Sequence, residues 1–111
     1  MSAPIPRRLL PHSARLDRYT GTGKSGPVYG ESVDLEHVRF EAVKQNAMSN
    51  LGDAKADRFT LFIDMKNTSP QGIIPSIKDR VVFRGEGLIV RTVQILFGST
   101  VEAHHCEARL V

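Results

Sequence analysis

Apolar and polar positions sort themselves most clearly between residues 79 and 97, DRVVFRGEGLIVRTVQILF. β-branched and aromatic residues dominate two arms, 80–83 and 88–96, and nothing there recurs at helical spacing. Gly85-Glu86-Gly87 separates the arms where a tight turn needs a residue that tolerates positive φ. The stretch predicts a β-hairpin. Arg84-Gly85 and Gly85-Glu86 both fit as the central pair of the turn. The choice moves the register by one residue and decides whether Phe83 or Val82 faces the interior.

The same period of two marks other strands. Residues 12–19 alternate imperfectly. Residues 36–45 place Val38, Phe40 and Ala42 on one face and Arg39 and Glu41 on the other. Residues 58–65 set Phe59, Leu61 and Ile63 against Thr60, Phe62 and Asp64, so Phe62 needs cover from a loop or a partner. Residues 101–111 close the chain as a sixth strand. Glycine and proline mark the breaks. Residues 20–29 (TGTGKSGPVY) read as a glycine-rich loop, residues 46–57 as a long loop or one short helical turn, and residues 66–77 as a second turn-rich loop. Pro4, Pro6 and Pro11 make residues 1–11 an extended arm, because proline fixes φ and removes a donor. Leu9-Leu10 makes that arm adhesive. The expected fold is all-β: a small six-stranded antiparallel β-barrel, residues 12–111, with an extended N-terminal arm and two long loops. Closure removes edges that so short a chain cannot otherwise cover.

Composition narrows the class. The 111 residues suit one domain with a modest core, and Trp is absent. The net charge of +3 is unevenly spread. Arg7, Arg8, Arg15, Arg18 and Lys24 face only Asp17 within residues 1–24, so the basic character lies there. A lone cysteine, Cys106, excludes an internal disulfide framework and fits a reducing compartment. No apolar run resembles a signal peptide or approaches a membrane span, so no membrane partner is expected.

Candidate chemistry is sparse. Gly23-Lys24-Ser25 resembles the end of a phosphate-binding loop, but Arg18 stands where that loop needs its first glycine, and Pro27 follows where a helix should start. His104-His105-Cys106 suggests a metal. Adjacent strand histidines point to opposite faces, and His104 with Cys106 makes only two ligands. Asp17, Asp64 and Asp79 sit beside basic residues and read as surface ion pairs. Glu31, Asp34, Glu36 and Glu41 read as a solvated or partner-facing row. No nucleophile, base and orienting group fall together, so no catalytic, cofactor-binding or metal residue is expected. The N-terminal arginines suit loose contact with DNA phosphates.

Three segments together carry a resemblance: the opening Arg8-Leu9-Leu10-Pro11-His12-Ser13, the hairpin from Asp79 through Val81, Phe83 and Gly85, and the ending His104-His105-Cys106-Glu107-Ala108-Arg109-Leu110-Val111. In this order the chain resembles the small minor capsid proteins of tailed bacteriophages, similar to head-closure (stopper) and head–tail connector proteins. The resemblance implies a virion protein of the neck, assembled in the host cytoplasm. It would form a homo-oligomeric ring below the portal and adaptor, retain packaged double-stranded DNA through non-specific contact, and offer the tail proteins a surface. It further implies a long loop able to project into the DNA channel. By strand order this is the 45–57 loop, with Gln45, Asn46, Met48, Asn50, Leu51, Asp53 and Lys55. Arg8, Leu9, Leu10, Pro70, Ile73 and Ile74 are the expected subunit or ring interface. A tail-completion or tail-terminator subunit is the alternative, and a non-specific nucleic-acid-binding barrel the further one.

Overall fold

Alternating apolar residues give six antiparallel strands: β1 (His12–Gly23), β2 (Gly26–Ala42), β3 (Phe59–Asp64), β4 (Arg80–Phe83), β5 (Glu86–Phe97) and β6 (Ala103–Leu110). A computed structural model describes residues 3–43, 57–98 and 102–111. The strands close into the expected barrel, and their order around it is β1-β2-β3-β6-β5-β4.

The central hairpin resolves in favour of Arg84-Gly85. Phe83 pairs with Glu86, and the two residues between them have φ of 53° and 79°. Two positive φ values define the type I′ turn, whose twist matches that of the flanking strands. Val81 and Phe83 therefore face the interior, and Val82 is half-buried on the outer face.

The core is built from Leu16, Leu35, Val38, Leu61, Ile63 and their neighbours on β4, β5 and β6. At one end Phe40 and Phe83 stack, with ring centroids 3.8 Å apart. Phe59 meets both edge-on, and His12 does the same from β1. Phe62 lies half-buried on the outer face beside the His105 ring.

One expected loop is mostly strand. Within residues 20–29 the pairing continues through Gly21↔Val28, Thr22↔Pro27 and Gly23↔Gly26, leaving only Lys24-Ser25 as the turn. The glycines act here as positive-φ positions inside the ribbon, at 153° for Gly21 and 115° for Gly26, rather than as breakers. The ribbon also slips register at Asp17/Tyr19 and Tyr19/Gly21. It extends past the last β1–β4 pair, Asp17↔Arg80.

β2 is long because it serves two partners. Its first part pairs with β1, and Val38–Ala42 pairs with β3. The handover sits at His37, a bulged residue with φ of 58°. Thr68 satisfies it: its Oγ1 donates to the His37 carbonyl at 2.6 Å and accepts from the Asp64 N–H at 2.9 Å. Glu36 and Ser69 then exchange two backbone hydrogen bonds, both 3.0 Å. The loop between β3 and β4 is thus anchored to β2.

The N-terminal arm lies on its own barrel. Pro6 holds a polyproline conformation before a single 3-10 turn over Arg7–Leu9. Between two prolines, the backbone of Ile5 is tied at both polar groups. Its N–H donates to Asp64 Oδ1 at 3.0 Å, and its carbonyl accepts from Asn67 Nδ2 at 2.7 Å. His104 Nε2 reaches the Ala3 carbonyl at 2.5 Å.

Candidate functional site

The three aspartates expected as surface ion pairs are buried, although Asp17 and Asp79 do form ion pairs, with Arg15 and Arg80 and with Arg18. Asp17, Asp64 and Asp79 are each no more than 1% exposed. Asp17 accepts from Arg15 Nε at 2.8 Å, Arg15 Nη2 at 3.0 Å, Arg80 Nε at 2.8 Å and Ser32 Oγ at 2.7 Å. The Arg15 bonds, helped by Ser32 and Arg80, outweigh burial and bring its carboxyl down to about 2. Asp79 accepts from Arg18 Nη1 and Tyr19 N at 2.9 Å and from Ser76 N at 2.8 Å. Asp64 accepts from Ile5 N and Lys66 N at 3.0 Å and from Asn67 N at 2.8 Å. Each carboxylate is therefore a clamp: Asp17 joins β1, β2 and β4, Asp79 joins β1 to the β3–β4 loop, and Asp64 holds the arm. The sequence shows only the neighbouring basic residues. Partners such as Arg80 and Ile5 lie about sixty positions away.

Adjacent histidines on β6 also depart from the simple strand rule. The pairing skips between Leu96↔His105 and Phe97↔Ala103, and this irregularity brings both imidazoles to one side. Their Nδ1 atoms are 2.7 Å apart, and His105 Nε2 meets Glu107 at 3.1 Å. Among the described residues no group of three ligands could hold a metal. Cys106 is fully buried, which pushes its thiol up to about 12, far from a reactive thiolate.

The expected interface residues separate. Arg8 is exposed and Leu9 is 42% exposed, but Leu10 turns inward and is 1% exposed. Pro70 is exposed. Ile73 packs against the core, and Ile74 is half-buried with its carbonyl bonded to Arg18. The loop residue left open is instead Ile77, 58% exposed. Gln45, Asn46, Met48, Asn50, Leu51, Asp53 and Lys55 lie outside the described residues. The flanks of that segment meet, through Ala42↔Phe59 and a 2.9 Å bond from Val43 N to the Arg58 carbonyl.

One surface escapes the sequence reading: the outer half of β5. Its pairing with β4 ends at Arg80↔Ile89, and from Thr92 onward its ladder is with β6. Ile95 lies directly opposite Cys106, so its side chain shares the face of a core residue. Yet Ile95 is 40% exposed and Phe97 60% exposed. The core-facing register runs past the rim of the barrel, on a run from Thr92 to Phe97 without charge or proline. Natural edges are normally blunted by charge, proline or a bulge; this one has ladder irregularities at Val90/Thr92 and Leu96/Phe97 but neither charge nor proline between them. The alternating Val93, Ile95 and Phe97 were legible in the sequence; the early end of β4, which uncovers them, was not.

Saturated carboxylates, a buried thiol and an exposed apolar strand end are the chemical features of this barrel. A family model described as Minor capsid protein matches residues 6–110. The chain belongs to this minor capsid protein family, and it is a structural component of the bacteriophage virion. No curated protein and no solved structure matches it.

Proposed function

We propose that this protein is a head-closure subunit of the phage neck: it forms a ring beneath the portal and adaptor, retains packaged DNA and presents a surface to the tail. The observation that carries this reading is the uncovered half of β5. A free monomer gains nothing from exposing Ile95 and Phe97 beside an edge that has no partner strand among the described residues, whereas a ring subunit has a neighbour to cover them. Leu9 and Ile77 add further apolar surface, and together with Pro70 they are the contacts to neighbouring rings. The 45–57 segment is the channel loop. Both of its flanks sit at one end of the barrel, beside Phe40 and Phe59, so the scaffold fixes where it leaves.

Particles made without this protein test the reading. They should package DNA, lose it, and fail to join tails. Particles that keep their DNA and accept tails overturn it. Location of the protein on the tail tube in electron micrographs favours the tail-completion reading instead.

A further inference from the structure

Most of the arginines in this chain are already spent on carboxylates. Arg15, Arg18, Arg39, Arg58, Arg80 and Arg91 each form an ion pair. Arg7, Arg8, Arg84 and Arg109 are exposed and form no ion pair among the described residues. Arg109 lies on β6, and the fold gathers the other three near His12. Arg7, Arg8, His12 and Ser13 line an open cleft of about 500 Å³, and Glu36 is the one carboxylate in its wall. Arg84 stands at the hairpin turn, outside the cleft lining but close enough for its charge to act on His12, its guanidinium 4.9 Å from the centre of the Phe83 ring. Arg39, whose Nη1 reaches the Leu9 carbonyl at 3.4 Å, closes the group.

Two properties of His12 report on this place. Its Nδ1 accepts the Phe40 N–H at 3.0 Å, so a neutral ring carries its proton on Nε2 and offers a fixed donor. Burial, then the charges of Arg84 and Arg39, lower its pKa. The imidazole is thus a neutral donor beside the Arg84 and Arg39 guanidiniums, the latter shared with Glu41.

We propose that this cleft, with Arg84 beside it, holds phosphates of double-stranded DNA. The assignment rests on the head-closure reading, which puts the end of the packaged duplex within reach of the ring. Guanidinium forks suit phosphate oxygens, and the His12 donor adds a neutral bond. The aromatic rings nearby are committed to the core: Phe40 and Phe83 are 7% and 8% exposed. Phe59, half-buried, packs edge-on against both, so the contact reads the backbone of a duplex and no sequence.

The test measures fluorescence anisotropy of a labelled duplex of about 30 base pairs with the full chain, across about 20 to 200 mM salt. Binding should weaken with salt, with a log–log slope of about −3 for three to four phosphates. Arg7→Gln/Arg8→Gln/Arg84→Gln should lose at least about tenfold in affinity at low salt and flatten the slope by about 2 to 3. Arg109→Gln, at an exposed arginine on β6, should leave both unchanged. Equal binding by the triple variant and the parent overturns the assignment, as does an equal loss in Arg109→Gln. A triple variant that keeps DNA binding and loses self-association overturns it too, marking the cleft as a protein contact. Unchanged thermal unfolding separates lost charge from lost fold. Particles that lose DNA without this protein, paired with a triple variant that binds normally, leave head closure standing and the cleft refuted.

Discussion

Asp17 and Arg80 stand sixty-three positions apart in the chain and meet at 2.8 Å, joining the middle of β1 to the start of β4. Arg15 grips the same carboxylate from the other side, and the Arg80 guanidinium lies 4.2 Å from the centre of the Tyr29 ring. This is the outer seam at which the β1–β2 ribbon joins the barrel. Asp17→Ala leaves both guanidiniums without their acceptor. Because both are partly exposed and can turn to water, the cost falls below that of a fully buried pair, at about 2 kcal/mol. Urea denaturation measures it.

The same carboxylate sets an acid limit. Its folded pKa of about 2 lies below the ordinary 3.8, so the stabilisation is fully present above the unfolded value. It fades as pH falls from about 5 and is gone below about 2, removing about 2 kcal/mol in all. Unfolding free energy followed from pH 7 to pH 2 should decline over that window in the parent and decline less in Asp17→Ala. Parallel profiles would assign the acid sensitivity elsewhere.

Gly85 isolates a backbone effect. Its φ is +79°, and a Cβ added there meets nothing within 4 Å. Gly85→Ala therefore costs only the left-handed conformation, about 1 kcal/mol. Phe83→Ala, two residues earlier, removes one face of the aromatic stack and costs about 3 kcal/mol. Thermal unfolding of both variants checks the order. A larger loss at Gly85 than at Phe83 would show that the turn, not the stack, holds this end of the barrel.

The arm is held by few atoms. Asn67 Nδ2 bonds the Ile5 carbonyl at 2.7 Å, and Asn67→Ala deletes that bond while leaving the backbone N–H on Asp64. Loss of one such bond, about 1 kcal/mol, should raise local opening of the arm about fivefold. Trypsin cleavage after Arg7 and Arg8 should accelerate by that factor with little change in global stability. An unchanged cleavage rate would mean that Leu10 and the His104–Ala3 contact hold the arm without Asn67.

Local pattern accounts for what the sequence disclosed. Alternation at Val38, Phe40, Leu61 and Ile63 is a property of a few adjacent residues, and it located their part of the core, whereas the choice between Phe83 and Val82 needed the turn conformation at Arg84-Gly85. Asp17, Asp64 and Asp79 were misread because their burial depends on partners from distant strands. The glycines at 21 and 26 were misread because a glycine signals freedom in φ, and a twisted ribbon uses that freedom as readily as a loop does. Leu9 and Leu10 are indistinguishable by type, and the 3-10 turn alone turns one outward and the other inward.

β5 offers the sharpest test of assembly, because its apolar end lies beyond the core. Ile95 and Phe97 are well exposed, so Phe97→Asp removes little buried area and should shift unfolding by no more than about 0.5 kcal/mol. If a neighbouring copy covers this face, the new carboxylate is desolvated in the contact without a partner, at several kcal/mol. Such a penalty weakens self-association by a factor of a hundred or more. Sedimentation of parent and variant at equal concentration, with head closure assayed by DNA retention in complemented particles, reads both consequences. The expected result is a folded, monomeric variant that fails to complement. A variant that assembles and closes heads like the parent would leave the outer half of β5 outside the ring interface and move that contact to Leu9 and Ile77.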